Sequence, residues 1–337
     1  MWDQLVSLPA PVFLVSVSIL VVARSGIAPM PNLVNQARML PDPFQNPYPT
    51  EHSYIWWNWL SPFLAHSLGI RSGSAYLFFC GVIALAILPA CYLALRALNL
   101  SGAEARWRVL LVCCLPASFT ALFWVGMDAL TILLLVLVVA VRGRLLTSAA
   151  LGLLCGLQHA EQSLVAIGLL LLANVLFDRE AVRSSAAALV GVVLGKAALL
   201  VIAAHAGGAP LQTRLDYYLP RRGEFFHQFA SHAPIVVWSI FGAGWLLFLA
   251  AGLGRRALLL LATSAIAGLG LAITADDQTR VAAITTLPAL LVLFSTSEFS
   301  IAKLKHRLVV PLALLLPAIW VWKGHNDAPL PFASFFN

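Results

Sequence analysis

The stretch Asp128–Phe177, DALTILLLVLVVAVRGRLLTSAALGLLCGLQHAEQSLVAIGLLLLANVLF, decides the fold of this chain. It contains three apolar runs, 128–141, 146–158 and 163–177, which are separated by a basic turn and by the polar turn Gln158–Gln162. Apolar runs that follow one another through short polar turns predict helices that cross a lipid bilayer in succession.

The same pattern extends over the whole chain. We predict eleven spans, at about 6–23, 75–95, 109–124, 128–141, 146–158, 163–177, 186–204, 234–251, 257–273, 281–295 and 308–322. The chain is 61% hydrophobic and only 10% charged, which excludes a soluble domain of 337 residues. The runs lack the alternation of membrane strands, so the prediction is an all-α polytopic membrane protein, with residues 1–337 as one transmembrane domain.

Basic residues indicate the orientation of the spans. Under alternate threading, twelve basic residues fall on one side: Arg96, Arg106, Arg108, Arg142, Arg144, Arg179, Arg183, Arg255, Arg256, Lys303, Lys305 and Arg307. Because short cytoplasmic loops are enriched in Lys and Arg, we expect a cytoplasmic N-terminus and an extracytoplasmic C-terminus. Arg24, which follows the first span, argues the other way. The net charge of +7 is explained by this topology signal and by anionic lipids, without nucleic acid as a partner.

The side opposite the basic turns carries most of the other ionisable groups. Nine of the 14 carboxylates and seven of the eight histidines fall there. Two large extracytoplasmic segments, about 24–74 and 205–233, hold most of them. We therefore expect the functional face to be external.

The first segment contains the candidate acids and bases Asp42, Glu51 and His52. Its prolines exclude one continuous helix. Aromatic residues later in the segment predict a short interfacial helix in the headgroup layer. These residues are Tyr54, Trp56, Trp57 and Trp59, beside Leu60, Phe63 and Leu64.

A second group lies at the outer ends of the predicted spans. Asp128 begins one run, and His159 and Glu161 lie in a tight outer turn. Polar residues at membrane depth are costly, so we expect these three to contact substrate, unless the turn only bonds to itself. Lys196 lies deep within a span, where it either extends outward along its aliphatic stem or has a buried partner.

A third group is cationic and runs against the topology rule. Arg214, Arg221 and Arg222 in the second segment, and Arg280 in a short outer turn, are candidates to hold a phosphate, because arginine binds phosphate bidentately. Asp276 and Asp277 either pair with Arg280, contact substrate or hold a divalent cation, but no third metal ligand is evident. We therefore predict no metal site and no cofactor. The five cysteines lie within apolar runs and behave as buried hydrophobic residues.

Parts of the sequence resemble a known class of enzymes. The segment from Asn32 to Pro49, NLVNQARMLPDPFQNPYP, follows the first span within a large outer loop. Together with WVGMDAL at 124–130, RGR at 142–144 and AALGLLCGL at 149–157, it is similar to the GT-C class of integral-membrane glycosyltransferases, in particular to members that depend on polyprenyl-phosphate-mannose.

The resemblance implies transfer of a sugar from a polyprenyl-phosphate carrier to a glycan or glycolipid acceptor at the outer face of a bacterial inner (plasma) membrane. It also implies an inverting displacement with a carboxylate as general base. Asn32 occupies the position where such enzymes usually carry that aspartate, so Asp42 or Glu51 must serve. A polymerase or ligase that uses lipid pyrophosphate carriers, and a lipid or solute transporter or flippase, remain alternatives.

Overall fold

The computed structural model describes residues 2–30, 33–48, 50–208, 211–299, 304, 309–316, 320–322 and 325–326. Helices dominate this part of the chain, and its four strands have two residues each. The prediction of an all-α protein is therefore confirmed.

Seventeen α-helices are described. The first half contains α1 (Trp2–Ser7), α2 (Ala10–Ser25), α3 (Leu33–Ala37), α4 (Leu60–Ser67), α5 (Gly73–Ala97), α6 (Gly102–Cys113), α7 (Pro116–Phe123), α8 (Asp128–Ala140) and α9 (Leu145–Phe177). The second half contains α10 (Val182–Ala204), α11 (Arg214–Tyr218), α12 (Arg222–Ser231), α13 (Ala233–Phe241), α14 (Gly244–Ala251), α15 (Arg255–Ala272), α16 (Gln278–Ser295) and α17 (Val309–Leu315). Three 3₁₀ segments, Thr50–Trp57, Arg179–Ala181 and Leu219–Arg221, and the strands β1 (Gln45–Asn46), β2 (Gly207–Gly208), β3 (Val321–Trp322) and β4 (His325–Asn326) complete the order.

Several helices are long and apolar enough to cross a membrane. Five segments qualify alone, namely α5, α9, α10 together with the 3₁₀ turn before it, α15 and α16. Two sharply bent pairs, α6 with α7 and α13 with α14, raise the number to seven. Within the described residues, length and composition thus identify five to seven candidate spans, and the predicted count of eleven is not confirmed.

Helix α9 is a hairpin of two helices. His159, at its centre, has the non-helical angles φ −162° and ψ 79°. The Ser163 hydroxyl donates to the Cys155 carbonyl at 3.5 Å, whereas a straight helix would separate these residues by about 12 Å. The chain therefore folds back at Gln158–Gln162, where the sequence predicts a tight turn.

Glycines bring the first half of α9 against α10. A Cβ atom on Gly152 would lie 2.8 Å from the Ala188 carbonyl carbon, and one on Gly156 would lie 2.9 Å from the Cα of Gly195. The atom nearest to a Cβ on Gly156 is the carbonyl oxygen of Val192, which lies one turn after Ala188. The two helices therefore run parallel. Small residues at this spacing allow helix backbones to approach closely in lipid.

Arg24 has a structural role at the bend between α6 and α7. The two helices meet at an angle of 64° around Pro116, which interrupts the helical hydrogen bonds. Arg24 is buried and donates from Nη1 to the Cys113 carbonyl at 2.8 Å and from Nε to the Leu316 carbonyl at 3.0 Å. It thereby satisfies backbone carbonyls at the bend.

The basic turns gather at one end of the bundle, here called the basic end. Arg142 pairs with Asp178 at 3.0 Å, Arg256 donates to the Leu176 carbonyl, and Glu298 accepts the Ala257 amide. These contacts join turns that the threading places on one side of the membrane. The opposite end of the bundle is called the site end.

At the site end, the chain between α2 and α5 packs against the chain after α10. Strand β1 pairs in parallel with β2, so that Gln45 lies beside Gly207. Trp56, Trp57 and Trp59 are buried within the protein. The three rings therefore face the protein interior, where they form a core that ties the 3₁₀ segment Thr50–Trp57 and α4 to the bundle. The position of this segment at the membrane surface stays a prediction.

Candidate functional site

Arg280 lies between two buried carboxylates at the site end. Asp277 caps α16, and its Oδ1 accepts the Arg280 amide at 3.3 Å, while its Oδ2 lies 2.9 Å from Arg280 Nε. Asp128, the first residue of α8, pairs with Nη1 of the same guanidinium. Asp128 and Asp277 are only 4% and 5% exposed. The two acids therefore fix the direction of the Arg280 side chain.

A cavity of about 150 Å³ opens beside this triad. Its lining combines charged groups with aromatic rings, a composition typical of ligand sites. The residues that line it are Met30, Tyr54, Trp124, Arg214, Tyr217, Phe225, Thr274, Ala275, Asp276, Asp277, Arg280 and Val281. The cavity is smaller than the ~300–1,000 Å³ pockets of drug-sized ligands, so it fits a small polar group such as a phosphate.

Arg214 is the second cation of this cavity. It begins α11, which is fixed by a capping box between Thr213 and Asp216. Its Nη2 donates to Asn58 Oδ1 at 3.2 Å, and its Nε has no hydrogen-bond partner among the described residues. Burial lowers the pKa of Arg214, although Glu161 acts in the opposite direction. An anion in the cavity would restore the interactions that this guanidinium loses by burial.

Two tyrosines supply neutral hydrogen-bond donors to the same cavity. Burial raises the pKa of Tyr54, although Arg214 opposes the effect, and burial raises the pKa of Tyr217 to about 12. Their ring centroids lie 4.6 Å apart. Both hydroxyls therefore stay protonated at neutral pH and are able to donate to an anionic ligand.

Asp277 differs from the other acids of the cavity. Burial raises the pKa of Asp277 to about 7, although the adjacent Arg280 acts in the opposite direction and Asp128 adds to the increase. Two carboxylates share one guanidinium here, so the second negative charge is poorly compensated. The charge of the cavity therefore depends on pH near neutrality.

A second polar cluster lies at the tip of the α9 hairpin. Glu161 pairs with Lys196 of α10 at 3.0 Å, and its other oxygen lies 3.7 Å from Nδ1 of the buried His159. Lys196 lies over the Trp57 ring, 4.2 Å from its centroid. Glu161 also acts electrostatically on Arg214, so this cluster adjoins the cavity.

Gln158 connects the hairpin tip to the rest of the site. Its Oε1 accepts the Ser61 amide at 2.8 Å, and its Nε2 donates to the Met127 carbonyl at 3.0 Å. Since Met127 precedes Asp128, the hairpin tip, the start of α4 and the start of α8 are held in one arrangement.

The structure thus brings together five of the predicted site residues. Arg214, Asp276, Asp277 and Arg280 line the cavity, and Asp128 pairs with Arg280 beside it. The predicted pairing of Arg280 with a neighbouring acid is confirmed for Asp277.

The other candidates lie around the cavity or away from it. His159 and Glu161 form the adjoining cluster. Arg221 contacts the cavity lining from behind: its guanidinium lies 4.3 Å from the centroid of the Tyr217 ring, and Tyr217 lines the cavity. Arg222 is exposed and donates to the Leu219 carbonyl at 2.9 Å.

Of the two predicted catalytic acids, Asp42 is not among the described residues that line the cavity. Asp42 lies in a turn, where its Oδ1 accepts the Phe44 amide at 2.9 Å. The side chain of Glu51 lies outside the described residues, and the neighbouring His52 is exposed. The first outer segment supplies Tyr54 and Asn58 instead, through the 3₁₀ segment Thr50–Trp57 and the residue after it.

No local sequence pattern marks Tyr54, Asn58, Trp57 or Tyr217 as site residues. The available signal was aromatic clustering, which we interpreted as a membrane belt. In the described part of the chain, no group of three or more His, Cys, Asp or Glu side chains is arranged to hold a metal ion.

No protein-family model, no curated protein and no solved structure matches this chain. The chemistry of the cavity is therefore the basis for assigning a function.

Proposed function

We propose that this chain is an integral-membrane glycosyltransferase, which transfers a sugar from a polyprenyl-phosphate carrier to a hydroxyl group of a glycan or glycolipid acceptor. The observation that carries the proposal is the convergence of Arg214 and Arg280 on one aromatic-lined cavity, which a carboxylate, Asp276, also lines. This combination supplies the groups that cleavage of a sugar–phosphate bond requires.

The arginines act on the leaving group in this proposal. As the bond between the anomeric carbon and the phosphate oxygen breaks, its electron pair passes to the phosphate, and negative charge grows on that oxygen. Arg280, held by Asp128 and Asp277, and Arg214, held by Asn58, stabilise this charge. Preorganised donors cost little reorganisation during the reaction, so the acids that orient Arg280 contribute indirectly.

Asp276 is the general base in this proposal, in place of Asp42 or Glu51. It lines the cavity beside Arg280, whereas Asp42 does not. The acceptor hydroxyl gives its proton to the Asp276 carboxylate as its oxygen attacks the anomeric carbon from the face opposite the phosphate. Asp277 has a different role in this proposal, because its oxygens lie against the amide and guanidinium of Arg280 and orient that side chain.

The membrane supplies the remainder of the carrier site. The cavity holds a headgroup-sized anion, so the polyprenyl chain extends from it along the apolar bundle. We propose eleven spans. The α9 hairpin counts twice, and the shorter apolar helices α2 and α8 add to the seven recognised by length and composition. The apolar run 308–322, which contains α17, supplies the last span of the proposal. With the basic end in the cytoplasm, the site end faces outward from the plasma membrane.

A transfer assay with matched variants tests this proposal. The purified chain in lipid nanodiscs is incubated with synthetic short-chain polyprenyl-phosphate sugars, with polyprenyl-pyrophosphate oligosaccharides and with glycan acceptors, and products are separated by chromatography. We expect transfer from a polyprenyl-phosphate sugar. Asp276→Asn should lower the rate by ~10²–10⁴-fold, which is typical of a lost general base, and Asp42→Asn should not.

Each other outcome has a distinct meaning. Loss of transfer in Asp42→Asn, with activity kept in Asp276→Asn, would assign the general base to Asp42 in the first outer segment. Transfer only from pyrophosphate donors would indicate a polymerase or ligase. Movement of the intact carrier across the bilayer without transfer would indicate a flippase and contradict the proposal.

A further inference from the structure

A second cavity, of about 350 Å³, lies at the basic end of the bundle, away from the candidate site. It is formed where the ends of α5, α9 and α16 meet the start of α15. Its charged lining residues are Arg142, Asp178, Arg256 and Glu298. The proposed sugar transfer does not use any of them.

The two arginines and the two acids sum to no net charge, but not all of them are paired with one another. Arg142 and Asp178 pair at 3.0 Å, with side-chain exposures of 23% and 15%. Arg256 has one hydrogen bond among the described residues, from Nη1 to the Leu176 carbonyl at 3.4 Å. Glu298 accepts the Ala257 amide through Oε2 at 3.1 Å, which leaves Oε1 for another donor. Among the described residues, a cation and an anion in the same cavity therefore each keep hydrogen-bonding capacity for a ligand.

The surroundings of the cavity are apolar on the lipid side. Val175, next to the lining residue Leu176, is 49% exposed, and Leu258 and Leu259, just after Arg256, are 55% and 53% exposed. These exposed apolar side chains are close in sequence to Leu176 and Arg256, which line the cavity. A ligand with a polar head and an apolar tail would match both parts.

We infer that this basic-end cavity binds the headgroup of a zwitterionic phospholipid with a primary ammonium, that is, phosphatidylethanolamine. The phosphate diester contacts Arg256, with the Arg142–Asp178 pair as its polar neighbour, and the ammonium contacts Glu298. The acyl chains lie along Val175 and Leu259, which follows Arg256 by three residues and so shares its side of α15. A purely anionic headgroup would satisfy Arg256 but would place negative charge beside Glu298 and Asp178.

Lipid retention and thermal unfolding test this inference on the full chain. The protein is purified in detergent, delipidated and returned to nanodiscs of phosphatidylcholine alone, or with phosphatidylethanolamine or phosphatidylglycerol at equal fraction. Native mass spectrometry counts retained lipids, and tryptophan fluorescence gives the unfolding midpoint. We expect phosphatidylethanolamine to be retained preferentially and to raise the midpoint above that in phosphatidylcholine, because the methylated ammonium of phosphatidylcholine has no N–H donors.

Three variants make the test specific. Arg256→Gln and Glu298→Gln should each weaken retention of phosphatidylethanolamine about tenfold, the effect of losing one charge-assisted contact. Glutamine at position 298 keeps an oxygen for the Ala257 amide, so the helix start is preserved. Arg183→Gln, which removes an exposed arginine at the same end, should leave the preference unchanged.

The opposite results would overturn the inference. Equal retention of all three lipids, or a preference for phosphatidylethanolamine that survives both Arg256→Gln and Glu298→Gln, would show that the cavity does not read this headgroup. Equal retention of phosphatidylglycerol and phosphatidylethanolamine, with no effect of Glu298→Gln, would show that only the phosphate is bound. Loss of the preference in Arg183→Gln as well would assign it to general surface charge.

Discussion

Removal of Arg280 should destabilise the protein strongly, because it leaves two buried acids without their cation. The side chains of Asp128 and Asp277 are 5% and 6% exposed, and that of Arg280 is 15% exposed, so water screens this triad weakly. Breaking a buried ion pair by removing one partner costs about 3–5 kcal/mol, against about 0–1 kcal/mol for an exposed pair. We therefore expect Arg280→Ala to lower the free energy of unfolding by about 3–5 kcal/mol.

Equilibrium unfolding in detergent micelles with increasing dodecyl sulfate, followed by tryptophan fluorescence, measures this loss. Arg222→Ala is the matched control and should cost less than about 1 kcal/mol, because this arginine is exposed and, within the described part of the chain, its one hydrogen bond goes to the Leu219 carbonyl. Asp128→Asn in the Arg280→Ala background should recover part of the loss by removing one uncompensated charge. A loss below about 1 kcal/mol in Arg280→Ala would refute the burial argument.

Three further predictions concern packing, pH and topology. Gly152→Ala should prevent close packing of α9 on α10, because its Cβ would lie 2.8 Å from the Ala188 carbonyl carbon. The yield of folded protein in size-exclusion chromatography in detergent should fall for this variant but not for Gly168→Ala, whose Cβ meets no atom within 4 Å. The affinity for a phosphodiester carrier, measured by calorimetry, should rise as the pH falls below about 7, because protonation of Asp277 makes the cavity more positive; Asp277→Asn, which keeps the helix cap, should remove this dependence. A reporter fused after Arg183 should be cytoplasmic, and an external reporter would contradict the orientation.

The sequence predicts those features of this fold that depend on local pattern. Apolar runs and short turns predict the helices, and the turn around His159 is recognisable because polar residues interrupt two apolar runs. The sequence pattern does not specify the number of spans, because α6 and α7 bend at Pro116 and several helices are short.

The assembly of the site depends on contacts between residues far apart in sequence. Asp128 and Arg280 are identifiable as unusual charges, but their pairing follows from how α8 and α16 pack, which no local pattern specifies. Asp42 carries suitable chemistry, yet its carboxylate is used in a turn with Phe44. Trp57 has the composition of a membrane belt, but its ring is buried under Lys196.

Arg24 has a consequence for reading the orientation of such chains. Its guanidinium donates to the carbonyls of Cys113 and Leu316, and such backbone groups need hydrogen-bond donors inside a membrane protein. The position of this charge is thus set by backbone carbonyls, and it carries no information about which side of the bilayer it started from. In a topology count, an arginine with this role should be omitted, and the predicted orientation of this chain then rests on the turns at the basic end.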